Sequence, residues 1–384
     1  MEVAYIVLII LSGFIIINLN KKTLSKNNIK YLYWLWIFHL MTSLYYYYYI
    51  ITNGGDAMYY WQSSQFSVKN IEEISMSYLD NGSSFIIFLN RPFAGVLEMG
   101  FLSNTLLFGL FGFIGLLLFY RITLDIVPKN SSLGKITLFP LLFFLPNLHF
   151  WSSGIGKDTL IFLSVALVSY GFLNIVKRFP LIIAGIVMIF FIRPHVALLL
   201  CVCFGFAYAL NKKISKKQRF FLSFFLISFS LLILPSVLKY INMENASIES
   251  LDNFSTNRAG LLVKSSSGVN INSYPYILKV LTFLYRPFFF DINGIPALET
   301  SFENLLLLLL SIKLIRSKPF KSFKKAPVVI QGLLLFLIMG ALIFSMSMSN
   351  LGIILRQRNM FLPGMILFIL WSLSYKQNYS LTEK

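Results

Sequence analysis

Long apolar runs separated by short basic stretches constrain this chain more than any other feature of its sequence. An apolar segment of roughly 20 residues matches the hydrocarbon layer of a bilayer, about 30 Å thick, and such runs recur from residue 3 to residue 375. Hydrophobic residues make up 57% of the 384 and charged residues only 12%, which lies outside the range of water-soluble domains. The chain therefore reads as an all-α, polytopic helical bundle, one membrane domain over residues 1–384 with no linker to a soluble part. Spans are expected near 3–19, 31–51, 99–120, 136–150, 159–176, 179–193, 195–210, 220–238, 297–315, 328–348 and 359–375, about eleven helices with a range of 10–12. Residues 1–19 lack a basic leader and a small-residue cleavage site, so the first run is expected to be retained as a span.

The charge distribution orients these spans. Lys and Arg cluster at 21–30, 121–135, 177–178, 212–219, 313–325 and the C-terminal tail, which together hold 22 of the 33 basic residues and two acids, Asp125 and Glu383. Under the positive-inside rule those segments face the cytoplasm. The remaining segments carry 11 basic and 13 acidic residues and face outward, which places the N-terminus outside and the C-terminus inside. The net charge of +18 is thus a topological signature, and a nucleic-acid partner is not expected. Two outer loops follow, one at about 52–98, which carries Glu72, Glu73 and Asp80, and one at about 239–296. Residues 85–98 and Tyr274 to Phe290 are apolar, proline-interrupted stretches, expected as re-entrant or interfacial segments on the outer face.

Trp151 to Leu160, reading Trp-Ser-Ser-Gly-Ile-Gly-Lys-Asp-Thr-Leu, sets a cation and an anion side by side between two apolar runs. Ser152, Ser153, Gly154 and Gly156 break the incoming helix, and Asp158-Thr159 suits the start of the next, with the carboxylate near the positive end of its dipole. Gly-Ile-Gly-Lys-Asp-Thr is not a nucleotide phosphate loop. That loop needs glycine where Trp151 stands and Ser or Thr where Asp158 stands.

Arg91, Arg193 and Arg286 each precede a proline at the outer end of an apolar segment, and Arg356-Gln357-Arg358 maps to the same side. Proline is expected to end the helix after each arginine and let the guanidinium project. One such arginine could simply snorkel to lipid phosphates. Five of them with Lys157 on one side of a membrane point to an anionic ligand, because guanidinium offers phosphate oxygens a rigid pair of donors. Asp56, Glu98, Asp158, Asp291, Glu299 and Glu303 are the carboxylates available to pair with them, Glu299 and Glu303 sharing a helix face at spacing four. Asp56 lies in Gly-Gly-Asp-Ala-Met-Tyr-Tyr-Trp, where Trp61 and its neighbours could stack on sugar rings. Cys201, Cys203, His39, His149 and His195 show no disulfide or metal-ligand spacing.

The outer-face arginines Arg193, Arg286, Arg356 and Arg358, the long outer loop and the many short helices resemble bacterial O-antigen and capsule polymerases of the lipid-linked, flippase-dependent pathway. The Asp56 segment also looks like the outer-loop acid of multi-span polyprenyl-phosphate-sugar glycosyltransferases, although there the acid follows the first span and here the second. The resemblance implies a glycosyltransferase of the bacterial cytoplasmic membrane that joins undecaprenyl-diphosphate-linked repeat units. It also implies membrane lipid and a chain-length regulator as partners and no cofactor. In that chemistry Arg193, Arg286, Arg356 and Arg358 neutralise the departing diphosphate, Asp56 or Asp158 accepts the hydroxyl proton, and Lys157, Arg91, Glu299, Glu303 and Trp61 hold substrate. A transporter of lipid-linked sugars would set more charges within its spans. A glycan acyltransferase would need His149 or His195 as base.

Overall fold

Among the described residues of the computed structural model, five helices are long and apolar enough to cross a bilayer by length and composition: Glu2–Leu19, Phe101–Ile126, Ile175–Ile192, Lys216–Tyr240 and Ile295–Ile315. A sixth candidate is the pair Leu351–Arg358 and Leu362–Tyr375, bent by 60° at its break. The structure describes residues 1–65, 82–128, 132–133, 136–211, 215–240, 247–264, 267–292 and 294–382; Glu72, Glu73 and Asp80 lie outside the described residues. Apart from a small hairpin pairing Ser132–Leu133 with Ile136–Thr137, every regular element described is helical.

Several expected spans take another form. The run at 136–150 is not one helix: Leu138–Leu141 holds an extended Phe139, a 3-10 turn covers Leu142–Phe144, and Pro146–Phe150 is a separate short helix. Pro140 and Pro146 explain this, since the residue before proline is pushed out of the helical region, as at Phe139 (φ −100, ψ 129) and Leu145 (φ −64, ψ 125). Lys26–Asn53 is a continuous 28-residue helix, capped at Ser25, whose side chain accepts from the Asn28 N–H at 3.3 Å. Its polar first turn and tyrosines keep it out of the apolar set. Lys157–Gly171 has 15 residues and Pro194–Leu210 and Val328–Phe344 have 17 each, short for a span. Residues 52–98 and 239–296 contain regular structure as well, including helices Asp56–Gln65, Ser83–Arg91, Ile248–Leu262 and Tyr276–Tyr285.

The described residues fold as two compact units, Met1–Arg121 with Pro140–Arg193, and Ile122–Phe139 with Pro194–Lys384. No composition change marks the division, where the chain passes between units after Arg121, Phe139 and Arg193.

In the first unit the helix Phe101–Ile126 is central, with 72% of its apolar window buried against 17% for Glu2–Leu19, which leaves most of the latter's surface exposed. Glu2 ties the two together. Its carboxylate accepts from the Gly100 N–H at 2.8 Å, the Ser103 N–H at 3.0 Å and the Ser103 hydroxyl at 2.8 Å, so a distant carboxylate caps the helix start. Farther along, a Cβ at Gly112 would overlap the Ser152 carbonyl. The missing side chain lets the Ser152–Gly156 turn lie directly on the helix, the small-residue contact by which helices approach closely in membranes. Helices Lys157–Gly171 and Ile175–Ile192 form an antiparallel hairpin, with Gly171 against Ile182 and Gly185 against Ser164.

In the second unit Pro194–Leu210 packs on Lys216–Tyr240 and Val328–Phe344, and the last of these packs on Leu362–Thr382. Phe204, Phe336 and Phe361 are fully buried there, with Phe336 and Phe361 ring centroids 4.6 Å apart.

Candidate functional site

The turn Trp151–Gly156 and the start of the next helix form as their residues dictate, but inside the protein. Ser152 through Gly156 are buried, Lys157 is half-buried, and the helix Lys157–Gly171 puts Asp158 in its first turn. The Thr159 hydroxyl donates to the Gly154 carbonyl at 2.5 Å, fastening the turn to the helix. The helix Ile175–Ile192 ends where Pro194 follows Arg193, whose backbone is extended (φ −149, ψ 90). There Arg193 Nη2 donates to Asp158 Oδ1 at 3.0 Å, with both side chains only 9% exposed. A buried guanidinium and carboxylate thus meet where one helix ends and another begins. The dipole of the Lys157 helix favours the carboxylate, and Lys157 adds a cation one residue away.

The second unit gathers another group around the sequence Tyr285-Arg286-Pro287. Arg286 Nε donates to Asp291 Oδ2 at 2.9 Å, its Nη2 donates to Oδ1 of the same carboxylate, and Nη1 donates to the Tyr274 hydroxyl at 3.2 Å. The Asp291 hydrogen bonds shift the guanidinium's ionisation upward against the opposing effect of burial. Arg358 is 1% exposed. Its Nη1 donates to the carbonyls of Leu284 at 2.6 Å, Arg286 at 3.4 Å and Phe283 at 3.5 Å, and its Nη2 donates to Asn304 Oδ1 at 2.6 Å. Asn304 in turn donates to the Pro287 carbonyl at 2.7 Å. The helix Tyr276–Tyr285 ends at this point, and Arg358 occupies carbonyls that the ended helix leaves without partners. Glu303 is buried and acts on Arg358 electrostatically, whereas Glu299, one turn earlier, is exposed.

Two of the named carboxylates are therefore arginine partners, Asp158 for Arg193 and Asp291 for Arg286. Asp56 stands elsewhere in the first unit, exposed at the first position of the helix Asp56–Gln65. It sits in a helical turn instead of a flexible loop. Trp61, on the same helix, is half-buried and donates its indole N–H to the Met99 carbonyl at 3.0 Å while its ring meets Phe101. Arg356 is half-buried and Arg358 buried on the short helix Leu351–Arg358, before the bend.

Arg91 departs from expectation. Proline does not end the helix there: Arg91 is helical (φ −53, ψ −44) and the chain continues through a π turn over Pro92–Val96. The wider turn carries the chain past a residue that lacks an N–H, which an α-turn does less readily. Phe88-Leu89-Asn90-Arg91-Pro92-Phe93 and Phe283-Leu284-Tyr285-Arg286-Pro287-Phe288 thus share a sequence pattern but not a backbone, since Arg286 is extended (φ −91, ψ 155).

Sequence reasoning missed Asn304 and Tyr274, ordinary polar residues whose partners lie at least 12 positions away. It also missed the contact between His39 and His149, 110 residues apart. Their Nδ1 atoms lie 2.9 Å from each other, and no local pattern announces such a pair. Comparison with protein families, curated proteins and solved structures gives no match. The functional reading therefore rests on these residues and their placement.

Proposed function

We propose that this chain is a membrane glycosyltransferase that joins undecaprenyl-diphosphate-linked oligosaccharide repeat units on the outer face of the bacterial cytoplasmic membrane. The observation that carries the reading is the buried Asp158–Arg193 pair at the head of the Lys157 helix. Buried charge in an apolar bundle is costly, and in membrane proteins it marks sites of chemistry or transport. The reaction asked of it is displacement of a lipid diphosphate from an anomeric carbon by a sugar hydroxyl. Arg193 and Lys157 oppose the charge that grows on the leaving diphosphate, and Asp158 accepts the hydroxyl proton. In the second unit, Arg286, held by Asp291 and Tyr274, and Arg356 are the cations assigned to binding lipid-linked glycan. Arg358 has both terminal nitrogens engaged within the protein and serves as a positioning residue.

About eleven membrane crossings, with the outer segments re-entrant or interfacial, complete this reading. The N-terminus lies outside, the C-terminus is cytoplasmic, and a chain-length regulator is a partner. Topology is checked with a reporter active only in the cytoplasm. Fusion after Lys217 or Lys324 should give signal and fusion after Ser273 none. Signal at Ser273 would place Arg286 on the cytoplasmic side and end the outer-site proposal.

The chemistry is checked by reconstitution with a lipid-linked repeat unit and inspection for laddered product. Arg193→Lys and Arg286→Lys should express normally but lose roughly ten- to a hundredfold in product formation, because one ammonium does not reproduce two parallel guanidinium donors. Arg91→Lys should be milder. Asp158→Asn should lose turnover while Asp56→Asn keeps much of it. Wild-type ladders from both Lys variants would mean that these charges serve only the fold. A single added sugar would identify the one-sugar transferase class, and movement of intact substrate without new linkages a transporter.

A further inference from the structure

The buried contact between His39 and His149 lies outside the chemistry above. Both residues are fully buried in the first unit. His39 stands on the helix Lys26–Asn53 and His149 on the short helix Pro146–Phe150. Three hydrogen-bond contacts fill their ring nitrogens: His39 Nε2 to the Gly109 carbonyl at 2.9 Å, His149 Nε2 to the Phe143 carbonyl at 2.7 Å, and Nδ1 to Nδ1 at 2.9 Å.

A carbonyl oxygen only accepts, so each Nε2 must carry a proton to make its bond. A neutral imidazole has one N–H, and two neutral rings with both protons at Nε2 would face each other through bare Nδ1 lone pairs. Moving one proton to Nδ1 only transfers the conflict to a carbonyl. Three contacts need three protons, and a neutral pair has two. Turning either ring over does not help, because it would set ring carbons where the nitrogens now meet their partners.

We propose that His39 and His149 together bind one additional proton, held between the two Nδ1 atoms, so that the pair carries a single positive charge inside the first unit. The proton belongs to the pair and to neither ring alone. The surroundings are neutral. The helix Phe101–Ile126 presents the Gly109 carbonyl and the Phe113 ring, the 3-10 turn presents the Phe143 carbonyl, and Trp36 and Phe38 flank the rings from the helix of His39. Among the described residues, no carboxylate, ammonium or guanidinium is a partner of either imidazole. The charge is stabilised by the two carbonyl acceptors and by delocalisation across the shared hydrogen bond.

The pair also has a mechanical connection. Ser152 returns to the His149 carbonyl through its N–H at 3.1 Å and its hydroxyl at 3.2 Å, and the same turn leads to Lys157 and Asp158. With the proton bound, the helix Lys26–Asn53 is clasped to the short helix that anchors the turn. Without it, the two Nδ1 lone pairs face each other with no hydrogen bond between them.

The test uses the full chain in lipid nanodiscs with 15N-labelled histidine. The sequence has three histidines, so His195→Gln leaves only the pair visible. At neutral pH the 15N spectrum should show both Nε2 atoms protonated and a third proton coupled to both Nδ1 atoms. His39→Gln should abolish that third signal and leave His149 with one N–H. Two protonated Nε2 atoms facing two bare Nδ1 atoms in the His195→Gln protein would overturn the proposal, and so would a third proton coupled to a single ring.

Discussion

Replacing Arg358 with methionine is expected to destabilise the second unit by about 3–5 kcal/mol, the range for disrupting a buried charged network by removing one partner. The side chain is 1% exposed and its donors reach the Leu284 carbonyl and the Asn304 side chain, each at 2.6 Å. Methionine fills similar space but donates nothing, so buried acceptors at a helix end lose their partner, at roughly 1–3 kcal/mol each. Lysine separates charge from geometry. One ammonium reaches the Leu284 carbonyl or Asn304 Oδ1 but lacks the planar fork that serves both, and Arg358→Lys should fall about halfway. The measurement is equilibrium unfolding of the purified protein in mixed micelles. A loss under about 0.5 kcal/mol for the methionine variant, the range of ordinary surface substitutions, would show that water or neighbouring groups replace the guanidinium and that Arg358 is not needed for the fold.

The second large effect concerns the pair in the first unit. Asp158→Ala leaves Arg193 buried without the carboxylate that meets it, and the expected cost is again about 3–5 kcal/mol. Arg193→Leu should cost a similar amount by stranding the carboxylate. The double variant should be more stable than either single one, because no uncompensated charge remains. The coupling should persist at high salt, since screening acts weakly on a pair whose side chains are 9% exposed. Additivity within about 0.5 kcal/mol would mean that the 3.0 Å contact contributes little. The cycle also bears on function: a pair serving only the fold should regain product formation along with stability in the double variant, and a catalytic pair should regain stability alone.

Much of the helix inventory is legible along the chain. Runs read at 3–19, 99–120, 179–193, 220–238 and 297–315 coincide, within several residues at each end, with the five helices long and apolar enough to cross a bilayer. Helix formation is local, and an uninterrupted apolar run leaves its backbone few alternatives in a membrane. The start of the helix at Lys157 is legible for the same reason, from glycines and a first-turn carboxylate. Residues 136–150 were less readable because apolarity and proline compete there. The prolines prevail, and hydropathy alone does not reveal by how much.

The side chains that make a site follow another logic. That Arg193 and Arg286 need carboxylates follows from burial, and Asp158 and Asp291 were among those available. Which acid meets which base depends on how helices distant in sequence pack. Asn304 answers Arg358 across 54 residues, and His39 meets His149 across 110. The two Arg-Pro segments with near-identical neighbours show the limit most directly: one continues as a π turn at Arg91 and the other opens into an extended backbone at Arg286. Sequence determined where helices can form and which charges must find partners, because both are set by the local free energy of burying backbone and charge. Tertiary structure alone decided which partners those are, because hydrogen bonds a few ångströms long depend on distances that no local spacing specifies.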